Sequence, residues 1–452
     1  MKKSLFFKLA SLSVLFVLFA MAGMAQTFTF GDLNYQVNPD GVSVTVTGHV
    51  DGLNATGELN IPESVNHEGN DYAVTTIGNS AFLYYFYLTS LTLPNSLTTI
   101  GNSAFAYCSG FTGDLVIPNS VVTIEPSAFF TCYSFNGDLI IGNSVTTIGD
   151  YAFNSCDGLH GVLNIPSSVE SIGTLVFRYC NFSGITVDPA NSVFDSRDNC
   201  NAIIRTSTNE LITGCVNSFI PNTVTAIGEN AFCGLALTSI DIPNSVITIG
   251  AGAFSFCFDL TGDLTIPNSV QTIGSGAFFQ CSGFDGTLTI GSGVTYIGDE
   301  AFRKCSHFSN AVSLATTPAE LGFEYAGMAF NEFGCQVLTV PFGCAAAYQN
   351  SAWYDPIGLN GFYEFIEAEP QAVSEVENVI SAVYPNPTKG MVRIEAENIK
   401  NVSVYNSLGQ IIFENAANGD AFEYDFSNHQ AGIYFIKVET EKGVETKKIT
   451  VL

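Results

Sequence analysis

A 24-residue period governs the middle of the sequence. From Gly113 three consecutive blocks read GDLVIPNSVVTIEPSAFFTCYSFN, GDLIIGNSVTTIGDYAFNSCDGLH and GVLNIPSSVESIGTLVFRYCNFSG, and the pattern resumes at Gly262 and Gly286. Self-similarity at this period specifies a solenoid, in which each block forms one coil and touches only its neighbours. A phenylalanine marks the coils at Phe82, Phe105, Phe129, Phe153, Phe177, Phe232, Phe254, Phe278, Phe302 and Phe330, with spacings of 23 or 24 in most steps and one gap of 55. A single coil buries too few apolar side chains to offset the entropy of ordering its 24 residues, so stability has to come from stacking.

Each block divides its labour. In L-x-I-P the alternating pair, such as Leu115 and Ile117, faces one side of a short strand that the proline ends. Asn-Ser then turns the chain. V-x-x-I-G supplies a second extended piece with Val121 and Ile124 pointing inward, and its glycine is expected to serve the tight turn that follows. In A-F-x-x-C, Ala128, Phe129 and Cys132 lie close to i, i+3 and i+4 spacing, which predicts a short helix in each coil.

Charge excludes one class of partner. The net charge is -27, and residues 26–382 hold 33 acidic against five basic residues, Arg178, Arg197, Arg205, Arg303 and Lys304. Such a surface repels nucleic acid and anionic membranes. The first 25 residues pair Lys2 and Lys3 with an apolar run shorter than the roughly 20 residues a spanning helix needs, and end in small residues; they read as a signal peptide, and the mature chain has no transmembrane anchor.

The block wording resembles the BspA-like class of bacterial leucine-rich repeats, whose consensus runs close to I-P-x-S-V-x-x-I-G-x-x-A-F-x-x-C. The resemblance covers residues 59–345 and implies a leucine-rich-repeat solenoid, with a β-rich cap over residues 26–58 and a closing cap over 346–366 that carries Trp353. After an acidic linker at 367–382, residues 383–452 alternate apolar and polar positions as a small β-sandwich does. This module resembles the C-terminal sorting domain of the type IX secretion system through Pro385, Asn386, Pro387, Gly390, the Leu408-Gly409 turn, Gly432-Ile433-Tyr434 and Lys447-Lys448. The resemblance implies secretion to the outer-membrane surface or the medium, with the type IX machinery as a partner.

Residues near 188–218 fill the gap of 55 with two strand-like runs, NAIIRT and ELITG, joined at Ser207–Asn209, and predict an inserted hairpin. Asp195, Asp198, Asn199 and Asn201 offer oxygen ligands there but lack calcium-loop spacing. Eight cysteines recur as a column (Cys108, Cys132, Cys156, Cys180, Cys233, Cys257, Cys281, Cys305), where side chains in register suit buried thiols better than bridges. Outside the column, Cys200 with Cys215 and Cys335 with Cys344 are the disulfide candidates.

No catalytic, cofactor or metal motif stands out. The histidines are scattered, no nucleophile elbow or phosphate loop occurs, and the acidic residues fall at repeat turns such as Asp114, Asp138 and Asp263. Two surfaces remain as sites for a partner. One is the stripe of middle residues in the L-x-I strands, among them Asn60, Thr92, Val116, Ile140, Asn164, Asp241, Thr265, Thr289 and Thr339. The other is an aromatic set flanking the A-F-x-x-C segments: Tyr84, Tyr85, Phe86, Tyr87, Tyr107, Phe130, Tyr133, Tyr179, Phe256, Phe258 and Phe279. The family resemblance implies a non-enzymatic adhesin engaging a host matrix or neighbouring-cell protein. A surface glycan-binding or scaffold component of a polysaccharide-uptake system is the other reading.

Overall fold

The computed structural model describes residues 26–322, 328–368, 380–406 and 410–452. The leader lies outside the described residues, as do most of the linker and the Leu408-Gly409 turn. The chain divides into two compact units at Glu367/Ala368.

The first unit is a β-solenoid of about 12 turns. Two sets of parallel strands run along it. The L-x-I strands pair coil to coil, as in Leu139–Ile140 on Leu115–Val116 and Thr287–Ile290 on Leu264–Ile266. The V-x-x-I strands are only two residues long, as in Thr123–Ile124 between Thr99–Ile100 and Thr147–Ile148. Register is coil on coil, so equivalent positions of successive coils stack on one another, and the buried phenylalanine, isoleucine and cysteine columns each stack one residue type on itself. The ladder phenylalanines are buried and lie nearly parallel: Phe129 to Phe153 is 5.5 Å at 5°, and Phe153 to Phe177 is 5.8 Å at 3°.

The A-F-x-x-C segment is a pair of turns, not the predicted helix. Ser127, Phe129 and Thr131 donate their N–H groups to the Asp150, Ala152 and Asn154 carbonyls of the next coil, each at 2.8 Å. The interleaved Ala128, Phe130 and Cys132 donate back three residues within their own coil. A helix would use all these donors internally and leave nothing to stack with. Ser127 and Thr131 take φ of 58° and 61°, and the same two positions are left-handed in coil after coil. The I-G glycines also serve stacking. Gly274 has an ordinary φ, yet a Cβ there would meet the Ala251 nitrogen of the preceding coil at 2.4 Å.

Both ends of the stack are covered. At the front an antiparallel meander, Thr27–Phe30, Leu33–Val37 and Ser43–His49, joins the V-x-x-I sheet through Asn70–Ile77. At the back Phe330 is met by Trp353 at 5.1 Å and Phe362 at 5.0 Å, while the Trp353 indole N–H donates to the Ala319 carbonyl at 2.8 Å. Between residues 194 and 214 the hairpin Ala202–Arg205/Glu210–Gly214 is buried on both faces and forms a partition between two hydrophobic cores.

The second unit is all-β, made from one curled antiparallel sheet rather than two facing sheets. Met391–Tyr405 pairs with Ile380–Tyr384, Ile411–Asp425 and Gly432–Thr440, and Val444–Val451 closes the edge. Irregularities between Glu395 and Asn401 break the long strand's register, so it can change neighbours. Val392, Ile394, Val402, Val404, Ile436, Val438 and Ile449 fill the inside of the curl.

Candidate binding surfaces

The turn side of the first coils carries a connected row of aromatic rings. Tyr84 and Tyr107 occupy the second left-handed position of successive turns, which brings their rings to 4.8 Å. The row continues from Tyr84 to Phe86 at 5.9 Å, from Tyr107 to Phe130 at 5.4 Å and from Phe130 to Tyr151 at 6.5 Å. Tyr84 is 43% exposed, Phe86 45%, Tyr87 61% and Tyr133 51%; Tyr107 is half-buried. Tyr85 is a correction to the surface reading. It is buried, its ring packs on Phe82 at 5.4 Å, and its hydroxyl accepts the His49 N–H at 3.4 Å, so it anchors the front cap. Tyr151 joins the row although the motif comparison did not single it out. The signal was its place immediately before Ala-Phe, the first left-handed position of the turn.

A shorter aromatic group lies further along. Phe256 sits 5.3 Å from Phe279 and 6.0 Å from the exposed Phe258, and the Arg303 guanidinium lies over Phe279 at 5.8 Å. Tyr179 stands under Arg178 at 4.4 Å.

The strand side presents the middle residues of L-x-I in register, with Thr92 beside Asn60, Ile140 beside Val116 and Thr289 beside Thr265. Thr92 and Thr265 are exposed and Thr289 is half-buried. Val116 and Ile140 put an apolar pair in this stripe, at 50% and 48% exposure.

Groups with chemical potential are used for architecture. Asp114 accepts the Asp138 N–H at 2.8 Å, Asp150 the Thr174 N–H at 2.7 Å and Asp263 the Thr287 N–H at 2.7 Å, so these carboxylates hold the turn of the following coil. Asp195 is taken up by Arg197 at 2.6 Å and the Thr206 hydroxyl at 3.0 Å. Among the described residues no group of three or more His, Cys, Asp or Glu is placed to hold a metal ion, and no helix is long and apolar enough to cross a membrane.

All twelve cysteines are free thiols. Neither proposed disulfide forms. Ala202 pairs with Gly214 across the hairpin, which sets Cys200 and Cys215 one residue out of phase; they point to opposite faces and join different cores. Cys335 and Cys344 flank the Val337–Val340 strand at its two ends, and each thiol turns to a carbonyl two residues away, Cys335 to Val337 at 3.0 Å and Cys344 to Phe342 at 3.8 Å. In the column seven of the eight thiols, all but Cys233, donate to the carbonyl of the preceding coil's phenylalanine, as Cys132 does to Phe105 at 3.1 Å and Cys156 to Phe129 at 3.1 Å. Burial pushes the Cys108, Cys156, Cys257 and Cys305 thiols up to about 12. Reactivity belongs to the thiolate, so a thiol reagent should titrate all twelve cysteines in guanidinium but only Cys335 and Cys344 rapidly in the native protein. Rapid reaction of more than two native thiols would contradict this packing.

In the C-terminal unit the motif residues converge at one end of the sheet. The Asn386 side chain donates to the Lys448 carbonyl at 2.7 Å and accepts the Thr450 N–H at 2.9 Å, which pins the Pro385–Pro387 turn to the last strand. Gly432 and Tyr434 pair with Val451 and Ile449 of the same strand. Gly390 accepts the Phe426 N–H at 3.0 Å.

Comparison with known proteins places these features. The model of the BspA type leucine-rich repeat region matches residues 75–202 and 212–318, and that of the secretion system C-terminal sorting domain matches residues 382–452. Neither is a catalytic family. The pneumococcal vaccine antigen PcpA is structurally similar over 77% of this chain and 94% of its own, with a TM-score of 0.54 and 16% identity. A leucine-rich cell surface protein of Faecalibacterium prausnitzii matches over 65% and 96%, at 25% identity and a TM-score of 0.44. A leucine-rich repeat protein of Bacteroides ovatus matches over 76% and 100%, at 19% identity and a TM-score of 0.40. No curated protein matches the chain. The sorting domain marks a secreted, cell-surface protein that engages the type IX secretion machinery. With the repeat matched over half its length and the stacked coils to account for it, the chain belongs to the BspA type leucine-rich repeat family.

Proposed function

We propose that the chain is a non-enzymatic adhesin that binds a host matrix or neighbouring-cell protein through the aromatic row Tyr84–Phe86–Tyr87–Tyr107. In this reading residues 1–25 are a cleaved leader, 26–366 form the displayed solenoid with its caps, and 383–452 direct secretion. The observation that carries it is the row itself. Three strongly exposed aromatic side chains lie within four residues of one another, beside a turn that Ser80, Phe82 and Tyr84 tie by their N–H groups to the Asn102, Ala104 and Ala106 carbonyls of the next coil. Exposed aromatics on a rigid support are the residues that dominate protein interfaces, because they bury much area at little entropic cost. The strand stripe at Thr92, Thr265 and Thr289 is the second contact surface.

Stacked aromatics also suit sugar rings, so a glycan-binding role is the alternative. Biolayer interferometry of the full chain against immobilised matrix proteins, mucins and polysaccharides separates the two. The expected result is saturable binding to a protein. Binding to polysaccharides alone supports the alternative, and silence across the panel contradicts both.

A further inference from the structure

The phenylalanine ladder is interrupted at the inserted hairpin. Between the Phe177 coil and the Phe232 coil lies a cleft of about 270 Å³, and the ladder of parallel phenylalanine rings stops at its edge. Elsewhere the turn donors find the next coil: Tyr151, Phe153 and Ser155 give their N–H groups to the Thr174, Val176 and Arg178 carbonyls. The equivalent N–H groups of Leu175, Phe177 and Tyr179 have no main-chain acceptor among the described residues, because the hairpin intervenes. On the far wall Gly214 takes the Ala231 carbonyl that a ladder phenylalanine would otherwise use.

Arg178 sits among these three donors. It is the one arginine of the solenoid with no carboxylate within ion-pair distance among the described residues; Arg197, Arg205 and Arg303 are paired with Asp195, Glu210 and Glu300. Its guanidinium carbon lies 4.4 Å from the Tyr179 ring centre and 5.5 Å from that of Phe256, and one end donates to the Tyr179 hydroxyl at 2.7 Å. Its Nε is buried and has no partner. A buried guanidinium donor left unmatched carries a desolvation cost that a ligand acceptor would relieve. Three carboxylates line the same cleft, with Glu210 taken by Arg205 and Asp150 by the Thr174 N–H, which leaves Arg178 as the cation of the lining without an ion pair, opposed in charge only by Glu229.

We propose that this cleft binds an extended acidic peptide segment of another protein, its main-chain carbonyls meeting the Leu175, Phe177 and Tyr179 N–H groups and a carboxylate meeting Arg178. The alternation of donors selects a peptide. In the intact stack their acceptors are carbonyls of every second residue, a spacing that a polypeptide reproduces. A planar guanidinium stacked on aromatic rings is shaped for bidentate carboxylate recognition. The volume suits a few residues of extended chain and not a folded domain. The site is distinct from the aromatic row, so it does not depend on the adhesin reading.

The test is selection of a random linear dodecapeptide display library on the full chain, with the Arg178→Gln chain as counter-selection. Enriched peptides are then labelled and measured by fluorescence polarisation. The expected result is enrichment of sequences carrying Asp or Glu. Arg178→Gln and the cleft-filling Thr213→Trp should each weaken them at least tenfold, Tyr87→Ala should leave them unchanged, and exchange of the 174–179 amides should slow on binding. Melting curves of the variants identify any loss due to unfolding, and the exchange measurement on the parent chain needs no variant. Failure to enrich any peptide over Arg178→Gln, equal binding to both variants, or Arg178-dependent binding of polygalacturonate in place of peptides overturns the proposal.

Discussion

Raising the pH from 8 to 10 is expected to remove roughly 5 to 6 kcal/mol from the stability of the solenoid, through four thiols alone. Cys108, Cys156, Cys257 and Cys305 are pushed by burial from 9.0 to about 12. The folded state therefore keeps them protonated at pH 10 while the unfolded chain ionises. A group whose folded value is raised contributes full stability below its unfolded value, and that contribution is lost as pH rises towards the folded one. Here the window runs from about 9 to 12. At pH 10 each thiol costs somewhat over about 1 kcal/mol. Cys132, Cys180 and Cys281 are raised in the same direction by the same burial and deepen the loss. Denaturant titrations at pH 8 and pH 10 measure it. Tyrosines titrate in the same range, so Cys156→Ala serves as the control: its pH-dependent loss should be smaller than the parent's by about 1 kcal/mol. An unchanged pH dependence in that variant would contradict the buried-thiol account.

Replacing one ring in the phenylalanine ladder should be nearly as damaging. Phe153 is fully buried and stacked at 5.5 and 5.8 Å between two other rings. Phe153→Ala removes contacts on both faces and leaves a cavity that the coils cannot close, because their spacing is held by hydrogen bonds on either side. The expected cost is about 3–5 kcal/mol by denaturant titration. Phe258, 51% exposed on the turn side, is the contrast, and Phe258→Ala should stay within about 0.5 kcal/mol of the parent. Similar losses at the two positions would mean that ring stacking does not hold the coils together.

The stacking columns were legible in the sequence because each is a single residue type repeated at one position. Phe129, Leu115, Ile124 and Cys132 announce their burial by recurring. The turn geometry was not legible. Ala128, Phe129 and Cys132 fit helical spacing as well as they fit a double turn, and the left-handed residues that decide the matter are Ser127 and Thr131, which carry no such signal on their own. The cysteine pairs failed for a reason of phase, since one residue of offset across the hairpin sends Cys200 and Cys215 to opposite faces. Tyr85 read as surface because four consecutive aromatics cannot be sorted without the front cap that covers one of them. The gap of 55 residues marked the insertion, while the unpaired donors beside Arg178 emerged only from the hydrogen-bond pattern.

The central claim is that a rigid row of aromatic side chains binds another protein. The most direct test takes the matrix or cell-surface protein captured by the full chain and compares its affinity for the parent and for the triple variant Tyr84→Ser, Phe86→Ser, Tyr87→Ser. These side chains are exposed, so the melting temperature should hold while affinity falls by about a hundredfold or more, as loss of a hot-spot cluster does. Unchanged affinity in a folded variant would contradict the claim and move the binding face elsewhere on the solenoid.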